Sequence, residues 1–263
     1  MGDVGYRRYV AIGDSQTEGL WDGDDDSGLI GFADRLAFIL DSHYPGLMYA
    51  NLAIRSKRVT DVLVEQLPQA LVMQPDLVTV CVGMNDVIRP GRSFDRALAD
   101  LECIHEHLAA SGATVVTTTF PDLAQILPVG RFLISRVLAI NESIRTAAAR
   151  FGFRLVDLYD APALSDPEVW SDDRVHGSSK GHMLFAAAAA EALGLPSSNH
   201  DWAHSNGEVI VPSFRERQYA QALWARNMMV PWIWRHMRGR SSADGRLPKR
   251  PRLQSVSRLE AEY

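Results

Sequence analysis

A serine hydroxyl becomes a nucleophile when a base takes its proton, and the base needs an anionic partner to fix its tautomer. The chain offers these three types in the order Ser, Asp, His. Ser15 lies in Gly13-Asp14-Ser15, directly after an apolar run, while Asp173 and His176 stand three residues apart, so that one turn can present both. Acyl transfer also needs donors aimed at a developing oxyanion. The backbone N–H groups of Ser15 and Ser56 and the side-chain amide of Asn85 are the candidates. Asp14 and Asp86 read as carboxylates that hold turns by hydrogen bonds.

These residues need a scaffold that brings distant segments to one edge. Short β-rich runs at Tyr9–Gly13, Tyr49–Ile54, Leu77–Gly83, Thr114–Phe120 and Arg154–Tyr159 alternate with helical patterns. The helices are expected near Gly31–Ser42, Val59–Val72, Phe94–Ser111, Arg131–Phe151 and Lys180–Leu193. Leu77-Val-Thr-Val-Cys-Val82 is continuously apolar, as a strand covered on both faces must be. The alternation predicts βαβ crossovers and a three-layer α/β/α sandwich around a five-stranded parallel sheet. Ligand sites of such sheets lie beyond the carboxyl ends of the strands, where Ser15, Ser56 and Asn85 fall.

Composition narrows the class. With 263 residues, 46% hydrophobic and 22% charged, the chain can bury a full core. Two cysteines, Cys81 and Cys103, make no disulfide framework or metal-ligand spacing, and read as buried free thiols. No signal-peptide pattern or membrane-length apolar run is evident, so a cytoplasmic protein is expected. The net charge of −5 is uneven. Arg235–Tyr263 carries eight Lys/Arg against three Asp/Glu, leaving the remainder with 19 of the 27 basic and 29 of the 32 acidic side chains. An acidic body speaks against nucleic acid as a partner.

Gly13-Asp14-Ser15, Asn51-Leu52-Ala53-Ile54, Gly83-x-Asn85-Asp86 and Asp173-x-x-His176, in that order between about Tyr9 and Leu193, resemble the blocks of the GDSL, or SGNH, hydrolases. The resemblance implies a flavodoxin-like SGNH fold and an esterase or lipase that cleaves carboxylic esters of acyl or acetyl type. It makes Ser15 the nucleophile, His176 the base, Asp173 its partner and Asn85 an oxyanion donor, with Gly83 in support. The implied partner is a small-molecule ester, and neither metal nor organic cofactor is required. One departure stands out: Ser56 occupies the place where the family usually has a glycine. Serine keeps the N–H but tolerates fewer backbone conformations. The oxyanion hole is therefore expected to be retained but weaker or narrower.

Rival readings carry less. A catalytically idle lipid- or carbohydrate-binding protein on the same fold is the alternative function. A nucleotide-binding protein is disfavoured, because no Gly-x-Gly-x-x-Gly or Walker lysine follows the first strand. His182 is expected to pack or cap, and His105 and His107 to lie on a solvated helix. Asp24-Asp25-Asp26 reads as an exposed acidic loop rather than a calcium site. Trp21 is expected either to line the acyl pocket or to serve the structure. The hydrolase domain is expected over residues 1–195, a linker and helical extension over 196–238, and a basic, extended or flexible tail over 239–263. The extension, dense in Trp and Met, is expected to dock on the core, with weak membrane-surface contact through 224–252 as the alternative.

Overall fold

The computed structural model describes residues 5–26, 28–89, 93–122, 124, 130–204, 243 and 245–259. Its centre is a six-stranded sheet: β1 (Arg8–Gly13), β2 (Met48–Asn51), β3 (Leu77–Cys81), β4 (Thr114–Thr118), β5 (Arg154–Val156) and β6 (Arg250–Ser255). The spatial order is β5-β4-β3-β1-β2-β6. β1 to β5 are parallel, and β6 pairs antiparallel with β2, Tyr49 facing Gln254. The direction of strand addition reverses at β1, which puts the crevice of an open sheet at the end of that strand. Tyr9, Val10, Ala11 and Ile12 are wholly buried, which fits a central strand covered on both faces.

The helices follow as the apolar periodicity predicts. A four-residue α1 (Ser15–Glu18) leaves β1, and α2 (Phe32–His43) follows it. The continuous run 59–72, α3, has a π turn over Val62–Gln66 at its middle. α4 (Met84–Ile88), α5 (Phe94–Ala110), α6 (Ile134–Phe151), α7 (Ser179–Ala192) and a terminal α8 (Val256–Leu259) complete the set among the described residues. α2 packs with α7, and α5 with α3 and α6, forming the two outer layers.

Two expectations change. The sheet has six strands, not five, and the sixth comes from the stretch read as a basic tail. Arg250-Pro251-Arg252-Leu253-Gln254-Ser255 has no apolar alternation, so periodicity does not mark it. It is held by main-chain pairing, by buried Val256, and by Lys249 and Arg250, both of which bond the wholly buried Asp34 of α2. The tryptophan-rich segment expected to be helical, 213–238, lies outside the described residues. No described helix is long and apolar enough to cross a membrane.

His105 also departs from expectation. It is fully buried, in edge contact with Phe153, and neither ring nitrogen has a hydrogen-bond partner among the described residues. Burial alone pushes its pKa down to about 4, so the ring is neutral.

Candidate active site

The turn after β1 is fixed before any chemistry is considered. Gly13, at φ 155°, brings the chain so close to β3 that a Cβ there would lie 2.3 Å from the Cys81 carbonyl oxygen. Buried Gln66, from the π turn of α3, accepts from the Gly13 N–H and donates to its carbonyl, both at 2.9 Å. A side-chain amide thus stands in for a neighbouring strand. Asp14 caps α1, accepting from the Gln16 N–H at 3.3 Å. Ser15 follows, 7% exposed, at the carboxyl end of the sheet.

The loop 170–177 faces it. Trp170 and Gly177 form a β-bridge at its base, and Ser178 caps α7 beyond it. His176 Nε2 lies 2.6 Å from Ser15 Oγ, and His176 Nδ1 lies 2.6 Å from Asp173 Oδ2. Burial pushes the Asp173 carboxyl up, but donation from the His176 ring and from the His176 and Val175 N–H groups outweighs it. The net effect holds Asp173 well below the usual carboxylate range, so it is anionic and Nδ1 carries the imidazole proton. Nε2 then accepts from the serine. Ser171 Oγ donates to Asp173 Oδ1 at 2.8 Å, and the Trp21 indole N–H to Oδ2 at 2.8 Å. Trp21 is 44% exposed, and its indole N–H supports the aspartate.

The remaining strand ends converge on the same place. Asn85, from α4, donates its amide nitrogen to Asp14 Oδ2 at 3.1 Å and to the Lys57 carbonyl at 3.0 Å. Burial, opposed by the Gln16 N–H and His176, pushes the Asp14 carboxyl up to about 6. Asp86 accepts from the Val59 N–H at 3.0 Å and so caps α3. Gly83, at φ 131°, begins α4, and a Cβ there would press on Ile140 at 2.3 Å. Ser56 sits in the tight turn Ile54–Lys57, closed by the Lys57 N–H on the Ile54 carbonyl at 3.3 Å. Its φ is 70°, so the serine adopts the left-handed conformation that a glycine would take without strain, at a cost of about 1–2 kcal/mol.

Strain gathers at these loops. Of the described non-glycine residues with positive φ, Trp21, Ser56 and Arg174 flank the Ser15–His176 pair, while Gln74 and Ser197 lie elsewhere. Such clustering is characteristic of sites whose geometry is imposed by surrounding structure. His182 receives the Phe32 N–H on Nδ1 and approaches the Leu20 carbonyl through Nε2, joining α7 to the start of α2. The acidic loop is exposed, yet Asp25 pairs with Arg55 and Arg246, and Arg55 in turn with Glu18.

Sequence reasoning had no local signal for Gln66 or Arg89, whose partners, the Gly13 main chain and Ser56, are distant in the chain. It placed Trp21 nearby without its contact to Asp173. A serine–imidazole–carboxylate line at the switch point of a parallel sheet, with polar groups from three strand ends around it, defines a hydrolase-type site. The chain belongs to the GDSL-like lipase/acylhydrolase family, whose model matches residues 11–184.

Solved structures agree in fold. LAE5, an alpha/beta hydrolase from the metagenome of Lake Arreo, Spain, is 22% identical, with TM-score 0.60 over 72% of this chain and 95% of its own. Axe2, an acetylxylan esterase from Geobacillus stearothermophilus, is 20% identical, with TM-score 0.59 over 76% and 97%. TesA is 20% identical, with TM-score 0.57 over 71% and 98%. No curated protein matches the chain.

Proposed function

We propose that the chain hydrolyses a carboxylic ester through an acyl-serine intermediate. The observation that carries this is the unbroken line from Ser15 Oγ through the His176 ring to Asp173, two contacts of 2.6 Å each. His176 Nε2 takes the Ser15 proton as Oγ attacks the carbonyl carbon, and then delivers it to the departing alkoxide oxygen. It next takes a proton from water as the oxygen attacks the acyl carbon, and gives that proton back to Ser15 Oγ as the acyl–oxygen bond breaks, releasing the acid and restoring Ser15. Asp173 stabilises the imidazolium at each stage. The N–H groups of Ser15 and Ser56 and the Asn85 amide are the donors for the oxyanion. Asn85 already spends its amide hydrogens on Asp14 and Lys57, so an oxyanion takes a share of one of them.

An acetyl or other short acyl group is the first substrate to test. In the test, Ser15→Ala loses roughly 10⁴-fold or more of kcat on p-nitrophenyl acetate while its melting temperature stays put. A phosphonate probe labels the native protein at Ser15 and leaves the variant unlabelled. Undiminished turnover in Ser15→Ala rules the mechanism out.

A further inference from the structure

The turn that carries Ser56 asks for a residue with positive φ at its third position, which is the demand that favours glycine in type II turns. Ser56 meets it at φ 70°. A strained serine persists only where neighbours over-determine its conformation. Three groups hold this turn. Glu18 Oε2 accepts the Arg55 N–H at 2.6 Å, and the Asn85 amide donates to the Lys57 carbonyl at 3.0 Å. Both act on residues beside Ser56. Arg89 grips Ser56 itself: Nη1 donates to its carbonyl at 3.1 Å and Nη2 to its hydroxyl at 3.0 Å.

The grip has a geometric consequence. Two nitrogens of one rigid planar fork fix two oxygens on opposite branches of the same residue, so the Ser56 main chain cannot turn without breaking a charge-assisted bond. Arg89 is also tied to the segment that bears Asn85, since its own N–H donates to the Asn85 carbonyl at 3.2 Å. One short helix, α4, with its C-cap residue Arg89, therefore reaches back to the 54–57 turn twice, through Asn85 and through Arg89. The hydroxyl that distinguishes serine from glycine is the second handle of the clamp.

We infer that Arg89 is a positioning residue for the oxyanion hole, which compensates for a serine at a glycine-type turn by clamping Ser56 with its N–H toward the reacting carbonyl. The inference rests on the ester-hydrolase reading above. It makes Ser56 and Arg89 a coupled pair: with glycine at 56 the clamp loses its purpose.

The experiment is a double-mutant cycle on p-nitrophenyl acetate with Arg89→Ala, Ser56→Gly and the two combined, kcat and KM being measured separately. Loss of one misplaced oxyanion donor predicts that Arg89→Ala lowers kcat about tenfold or more, with KM little changed. In the Ser56→Gly background, the same substitution is expected to cost no more than about twofold. Arg89→Lys, a point charge unable to span both oxygens, falls between, and supplies the same comparison should the alanine variant not fold.

An equal loss of kcat in the two backgrounds, or no loss in either, overturns the inference while leaving Ser15-dependent turnover intact. Native protein with no more turnover than Ser15→Ala, and no phosphonate labelling, overturns the hydrolase reading itself and this inference with it.

Discussion

Two aspartates, one part-buried and one wholly buried, show two uses of the same side chain. Asp173, in the loop that faces Ser15, and Asp34, in the first turn of α2, are both pushed up by burial. They finish on opposite sides of the ordinary value. Asp173 is surrounded by N–H and O–H donors from Trp21, Ser171, Val175 and His176, which together hold it anionic. Asp34, with no exposure at all, meets the cations of Lys249 and Arg250, and burial still prevails, so its carboxyl stays above the usual range. Lys249 is shifted down by the same burial. Around Asp173 hydrogen-bond donors, the His176 ring foremost, preserve a charge beside Ser15, while at Asp34 opposite charges join chain segments.

The contrast is open to direct attack. Asp173→Asn keeps the shape but removes the anion that selects the tautomer, so kcat is expected to fall about 10⁴-fold with little change in melting temperature. A stability loss with intact kcat would reverse the assignment. Asp34→Ala removes the buried carboxylate that Lys249 and Arg250 share and is expected to cost about 3–5 kcal/mol in urea unfolding, with kcat of the folded fraction unchanged.

His105 provides the third case, a buried ring whose nitrogens have no hydrogen-bond partner among the described residues. Its folded pKa of about 4 lies below the ordinary 6.5, so its contribution to stability is complete above pH 6.5 and is lost as pH falls toward 4. The full loss is about 3 kcal/mol. His105→Leu is expected to flatten the stability profile between those pH values, and an unchanged slope would refute this. Trp21→Phe, which deletes one indole donor to Asp173, has the smallest predicted effect, a fall in kcat of about tenfold or less.

Much of this was legible in the sequence. The apolar runs of β1 and β3, the spacing of the helices and the segments bearing Ser15, Asn85, Asp173 and His176 are all encoded locally, by periodicity or by short motifs. Other features depend on partners far along the chain. Gln66 is an ordinary helix residue until Gly13 is folded beneath it, and Arg89 is an ordinary arginine until Ser56 turns toward it. β6 carries no periodic mark, because charge pairing and main-chain bonds, rather than alternating apolar residues, recruit it. His105 sits in a polar-looking stretch, and only packing against Phe153 reveals that it is inside.

That same sixth strand decides how the sheet ends. A row of free main-chain donors and acceptors at a sheet margin invites another chain to add on. Here the margin beside β2 is occupied by a segment whose Pro251 lacks an N–H and whose exposed Arg252 carries charge. At this margin of the described sheet, the missing main-chain donor at Pro251 and the exposed charge at Arg252 are features that disfavour the pairing of a further strand.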